Sequence, residues 1–167
     1  ISSRKPFKFG TDFSDYKQKE FKDAVKIYAN GKTGWIAKEK IELNKNWINK
    51  YKVLISKAYG AGSGYPHQIT GKPIVVGKNS CCTETYLVAD VFDERKKAEN
   101  FANYIKTRFF RFLVSLKKNT QDNPRNVFSF VPDLDMSVEW TDEKLFKRYG
   151  VTAKEQDFIT SIVKEMV

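Results

Sequence analysis

The longest regular pattern in the chain is helical. Between Asp93 and Gln121, the apolar residues Ala98, Phe101, Ala102, Ile105, Phe109, Phe112, Leu113 and Leu116 recur at the spacing of one helix face. Tyr104, Arg108, Arg111, Ser115 and Lys118 fall along a second line beside it. The spacing predicts one long helix, with Asp93 as its N-cap and a donor-rich tail, Lys117-Lys118-Asn119-Thr120-Gln121. Its apolar stripe would face a core and its neighbouring face would offer cations.

Upstream, the pattern is that of strands. Val25, Ile27 and Trp35 flank Asn30-Gly31, which predicts a hairpin over 24–36 with a type I′ turn and a bulge at Gly34. A polar connection, 38–49, carries Ile41, Leu43, Trp47 and Ile48. Val53, Leu54 and Ile55 mark a strand over 52–57, followed by the glycine-rich stretch Ala58 to His67. Further strands are expected over 74–76, 83–91 and 127–131, the last stopped by Pro132. Thr141 caps a helix over 142–149 that Gly150 ends. Thr152 and Glu155 form a capping box for a helix over 153–166, with Phe158, Ile159, Ile162 and Val163 facing inward. The sum is an α+β domain: a mixed, mostly antiparallel sheet packed on one long central helix, with two short C-terminal helices. Residues 1–23, polar and interleaved with aromatics, read as a linker or N-terminal extension to a domain spanning 24–167.

Composition sharpens this picture. The 167 residues are 41% hydrophobic and 30% charged, enough for a packed core. No apolar run approaches the ~20 residues of a membrane helix, and Ile1-Ser2-Ser3-Arg4-Lys5 lacks a signal-peptide core. A cytoplasmic chain without a membrane partner is expected, and the missing initiator Met points to a fragment or a removed tag. Cys81 and Cys82 are adjacent, so they are expected unpaired and structural. The formal net charge of +10 favours a polyanionic partner.

Catalytic signatures are sparse. The glycine-rich stretch follows a strand, but no helix signal follows it, and it lacks a P-loop ending. An Asn/Asp-Pro-Pro-aromatic methyltransferase motif does not occur. Asp133, Asp135 and Glu139 are the acidic candidates for a magnesium-dependent nuclease, without an accompanying Glu-x-Lys. His67 is the only histidine, which rules out a zinc cluster of Cys and His. Neither a catalytic nor a metal site is expected in this chain. A protein-interaction module using Trp35, Trp47 and Tyr65 is the other alternative.

What remains is side-chain chemistry suited to nucleic acid. Tyr59, Ser63, His67 and Gln68 lie in the glycine-rich stretch, where the backbone can approach a partner closely. Arg108, Arg111, Lys117, Lys118, Asn119, Thr120, Gln121 and Arg125 lie along or after the long helix. These residue types hold phosphates and read base edges. Glu84 could accept from a cytosine amino group, but an ion pair with a nearby Arg or Lys is the better expectation.

Three stretches also resemble one family. They are Lys52-Val53-Leu54-Ile55-Ser56-Lys57-Ala58-Tyr59-Gly60, Asn79-Ser80-Cys81-Cys82-Thr83-Glu84-Thr85-Tyr86-Leu87-Val88, and Lys106 through Arg111 continuing to Gln121. Trp140 to Leu145 and Tyr149 to Thr152 fit as well. Together they are similar to the C-terminal target-recognition, TaqI-like specificity domain of adenine-specific DNA methyltransferases of bacterial restriction–modification systems. The resemblance implies a chain that binds double-stranded DNA and has no turnover of its own. It implies an upstream methyltransferase domain in the same parent protein, where S-adenosylmethionine would bind; no cofactor is expected in this chain.

Overall fold

The computed structural model describes residues 1–60 and 64–167. Strand β1, Ala24–Ala29, and strand β2, Lys32–Ala37, form the expected hairpin. Gly31 has φ +67°, but Asn30 does not take positive φ, so the turn is not type I′. The register runs unbroken from Ala24 opposite Ala37 to Ala29 opposite Lys32, without a bulge at Gly34. Gly34 serves instead as a gap: a Cβ there would lie 2.1 Å from the Tyr16 ring. Strand β5, Ser80–Cys82, adds to β1 in parallel and completes a sheet of order β2-β1-β5.

A second sheet has the order β4-β3-β6. It comprises β3, Tyr51–Ser56, β4, Ile74–Val76, and β6, Tyr86–Phe92, all antiparallel. Two separate sheets therefore replace the single expected one, and the strand anticipated over 83–91 begins only at Tyr86. β3 is buried on both faces. Val53 and Ile55 face the helices, whereas Leu54 faces a second core containing Val25, Ile27, Ile36 and Val88. The first 23 residues contribute Phe7 and Phe9 to that second core, and the Ser2 amide donates to the Val88 carbonyl at 2.8 Å. Glu84 is buried and accepts from Arg4 Nε at 3.1 Å. Burial works against its charge, yet the Arg4 hydrogen bond and charge hold the carboxyl below its usual range.

The long helix is broken. Helix α1 covers Arg95–Lys106 and helix α2 covers Arg108–Ser115, with Thr107 between them in an extended conformation (φ −61°, ψ 148°). Asp93 does not cap α1; Glu94 holds the cap position without a side-chain bond to the helix amides, and Asp93 pairs with Lys50. The break has a local cause. Thr107 Oγ1 accepts from the Phe110 amide at 3.1 Å, the contact of an N-cap residue. The Asp142 carboxylate accepts from the Arg108 and Phe109 amides at 3.0 and 2.8 Å. All three otherwise orphaned amides of the new helix are thereby satisfied.

The break also changes which residues face inward. An unbroken helix would bury Phe109, Phe112, Leu113 and Leu116. In α2 the buried residues are Phe109, Phe110, Arg111 and Val114, and Leu116 is exposed. Arg111 has no exposed surface at all. Its guanidinium donates to the carbonyls of Lys106 (2.9 and 3.1 Å), Thr107 (3.3 Å), Gln68 (3.1 Å) and Lys164 (2.6 Å). Two of these carbonyls lie at the α1–α2 junction, where the end of α1 presents partial negative charge.

Helix α3, Asp142–Tyr149, is capped by Thr141 and ended by Gly150 in the left-handed conformation, as expected. Helix α4, Ala153–Ile162, carries the capping box of Thr152 and Glu155. It stops short of Met166 because Val163 turns extended and bridges to His67. Ile159 and Val163 are buried, but Phe158 is exposed rather than inward. The strand expected over 127–131 is absent. Arg125–Phe128 forms a 3₁₀ turn that buries the adjacent Val127 and Phe128 together, which an alternating strand would not do. Among the described residues the architecture is thus α+β, with two small sheets and four α-helices. Among the described residues, no helix is long and apolar enough to cross a membrane.

Replacing Arg111 by Met should leave these carbonyls unpaired and cost about 3 kcal/mol, read as a loss in denaturant unfolding. A second outcome concerns Lys52, which is fully buried and donates to the carbonyls of Trp47, Ile48 and Lys50. Burial lowers its pKa from 10.5 to about 8. Above that value the unfolded chain binds more protons than the folded one, so this lysine makes stability rise with pH until the unfolded lysine also titrates. The Cys81 thiol, raised by burial from 9.0 to about 12, acts in the opposite sense above 9.0. Unfolding free energy should therefore climb between about pH 8 and 9, and less so in Lys52→Met, as urea titrations across that window will report.

Candidate nucleic-acid interface

The two donor-rich segments meet. After β3 the chain runs on past Ala58, which forms an isolated antiparallel bridge with Asp122. The Tyr59 amide donates to the Gln121 carbonyl at 2.7 Å, and the Asn123 amide donates to the Lys57 carbonyl at 2.8 Å. Asn123 is buried, and its side chain donates to the Ser56 carbonyl at 2.9 Å. Gly60 matters here: a Cβ would stand 3.0 Å from the Gln121 side-chain amide, so its absence lets that amide lie against the backbone.

Between these segments opens a cleft of about 490 Å³. Tyr59, Tyr65 and His67 line it together with Asn119, Thr120 and Gln121. Ile69, Ser115 and Ile162 also contribute. Such a volume lies in the usual range for small-ligand sites. Tyr65 is 72% exposed, and its ring centroid lies 4.0 Å from that of His67. His67 is held on both backbone sides: its amide donates to the Ile162 carbonyl at 2.9 Å, and its carbonyl accepts from the Lys164 amide at 2.8 Å. Among the described residues, its Nδ1 is buried without a hydrogen-bond partner.

Of the residues expected to contact DNA, Tyr59, His67, Lys118, Asn119, Thr120 and Gln121 line this cleft. Gln68 lines an adjoining recess of about 280 Å³ with Tyr59, Tyr65 and Lys164. Ser63 lies outside the described residues. Lys117 is exposed, with its ammonium 4.5 Å from the Phe130 ring centroid. Arg125 is exposed but lines two other clefts, one of them a largely apolar space of about 460 Å³ between α1 and residues 125–136.

Two of the expected cations belong to the scaffold. Arg111 is buried among backbone carbonyls, as described above. Arg108 donates to the Val163 carbonyl at 3.2 Å and lies 3.7 Å from the Glu165 carboxylate. The helix break turned both away from the expected wet face. Lys118 is half committed in the same way. Its ammonium donates to the Gln121 carbonyl at 2.9 Å, the Asp122 carbonyl at 3.4 Å and Asn123 Oδ1. Burial lowers its pKa to about 8, although Asp122 opposes the shift.

The sequence pattern did not point to Ile69, Ser115 or Ile162, which reach the cleft only through tertiary packing. Tyr65 carried a signal, an aromatic next to Pro66 in the glycine-rich stretch. Of the acidic candidates, Asp135 accepts from the Ser137 amide at 2.9 Å and from its hydroxyl, and these bonds hold its carboxyl below the usual range. Among the described residues, no three His, Cys, Asp or Glu side chains form a potential metal cluster. Comparison of the chain with protein-family models, curated proteins and solved structures gives no match.

Lys118 ties the 118–123 turn together, so Lys118→Met should loosen it. We expect a drop of about 1–2 kcal/mol in stability, together with faster amide exchange at Asp122 and Asn123, the pattern that hydrogen-exchange NMR would record.

Proposed function

We propose that this chain is a DNA-binding target-recognition domain, which reads sequence for an adenine-specific methyltransferase domain of the same parent protein. One observation carries the reading. Tyr59, Tyr65 and His67, and Lys118 to Gln121, come from two stretches singled out for their donor chemistry and line a single cleft although they are far apart in sequence. Amide, hydroxyl and aromatic groups gather there, as base recognition requires. The net charge of +10 supports a polyanionic partner. The resemblance to TaqI-like specificity domains supplies the restriction–modification context, including S-adenosylmethionine as a ligand of the parent's catalytic domain and a cytoplasmic setting.

In this reading phosphate contacts come from exposed cations rather than from α2. Lys117 is the first of them, with Arg125 and Lys164 on flanking surface. Arg108 and Arg111 hold the framework beneath. The cleft residues distinguish partners, and Lys118 keeps their turn in shape.

Fluorescence anisotropy with duplex DNA tests this directly. Binding should weaken steeply as salt rises from about 50 to 200 mM, with log affinity linear in log salt. Lys117→Ala should weaken binding to all duplexes alike and reduce the magnitude of that slope by about 1. Absence of binding at the lowest salt, or a slope near zero, would remove the proposal.

A further inference from the structure

The β2-β1-β5 sheet carries aromatic and basic residues away from the cleft. Along β1, Val25 and Ile27 are buried, while Lys26 and Tyr28 alternate to the other face and are half-buried. On β2, Ile36 is buried, and the half-buried Trp35 stands directly opposite Lys26. The Trp35 amide donates to the Lys17 carbonyl at 2.8 Å and its carbonyl accepts from the Lys17 amide at 2.9 Å. The Lys26 amide donates to the Asn79 carbonyl at 3.0 Å. Lys26 and Trp35 are therefore a pair without mutual backbone bonds, the kind that brings side chains closest. A row thus runs across three neighbouring backbones, Lys17, Trp35 and Lys26, with an indole between two cations.

Two more rings extend the row. The Lys17 ammonium lies 4.9 Å from the Phe21 ring centroid, and the Lys26 ammonium lies 5.5 Å from that of Tyr28. Trp35, Phe21, Lys17 and Lys40 line a groove of about 280 Å³. Asp15 is the one carboxylate among its lining residues, and it pairs with Lys40. Among the described residues, Lys17 and Lys26 pair with no carboxylate, so both charges are left for an outside anion. Lysines alone would hold any polyanion. An aromatic ring between them adds affinity where the polyanion also carries flat faces that can stack. Nucleobases have such faces, but in a duplex each is covered by its stacked neighbours, whereas a single strand leaves them open. An acidic peptide would satisfy the lysines and leave the indole without a partner.

We infer that this face of the β2-β1-β5 sheet binds single-stranded nucleic acid, with bases stacked on Trp35 and phosphates held by Lys17 and Lys26. The groove at Trp35 shares no lining residue with the cleft at Tyr59 and Gln121, and its role does not depend on duplex binding there. The backbone bonds between Lys17 and Trp35 hold the row in place before a strand arrives.

Titration of the full chain with oligothymidylate and oligouridylate of about 12 nucleotides, a duplex of the same length and polyglutamate tests this, read by anisotropy and by tryptophan fluorescence. Both single strands should bind and quench the fluorescence. The quenching should vanish in Trp35→Phe and persist in Trp140→Phe. Trp35→Ala should weaken single-strand binding about tenfold, and Lys17→Ala should reduce the magnitude of its salt slope by about 0.7. Circular dichroism will verify each fold, and Lys17→Ala, at an exposed residue, keeps the test open if Trp35→Ala does not fold. Quenching that survives Trp35→Phe, or a salt slope unchanged in Lys17→Ala, would overturn the assignment. So would equal quenching by polyglutamate, the mark of an acidic protein partner, or an equal loss of duplex binding in Trp35→Ala. Failure of the duplex reading shows separately, as absent or salt-independent duplex binding by the unaltered chain.

Discussion

A buried guanidinium holds the helical half of this protein together. Arg111 has no carboxylate in hydrogen-bond contact; its donors go to four backbone carbonyls from three places in the chain. Such a charge is costly to bury, and burial lowers its pKa from 12.5 to about 10, opposed by the nearby Asp142 charge. It remains a cation at neutral pH because the α1–α2 junction supplies carbonyl dipoles around it. Asp142 provides the complementary half, meeting the amides at the start of α2. One break thus exposes donors and acceptors together, and one acidic and one basic residue satisfy them.

Much of the fold was legible locally. The compact apolar run at Val53 to Ile55, the Asn30-Gly31 turn and the two threonine caps each report their element from a few neighbouring residues. The break at Thr107 was harder to read because the apolar spacing runs through it. A threonine in a strongly periodic stretch is compatible with a helix interior, and only Asp142, distant in sequence, makes the alternative favourable. Once the break exists, the periodic argument fails beyond it, and Arg111 moves from surface to core. The turn at 125–128 escaped for a related reason: β-favouring Val127 and Phe128 are pulled inward together by the core.

The cleft was legible in its parts and not in its assembly. Donor-rich composition marks Tyr59, His67 and Asn119 to Gln121, but the bridge between Ala58 and Asp122 is a tertiary contact with no local signature. The same limit applies to function among the charged residues. Lys117 and Lys118 are adjacent and chemically identical, yet one projects over Phe130 and the other is bound to backbone carbonyls. Sequence places both near the site; only packing separates a free charge from a committed one.

The helix break looks local and is not. Residues 142 and 164 must both reach Arg111 and its neighbours before the junction is satisfied, closing loops across much of the helical half. Loop closure precedes the gain from such contacts, so this corner has the high contact order usually associated with sheets. The orientation of α2 is therefore set by contacts that are long-range in sequence. The backbone at His67 gains its geometry from the same closure, through its bonds to Ile162 and Lys164, which makes the shape of the cleft and the folding topology two aspects of one constraint.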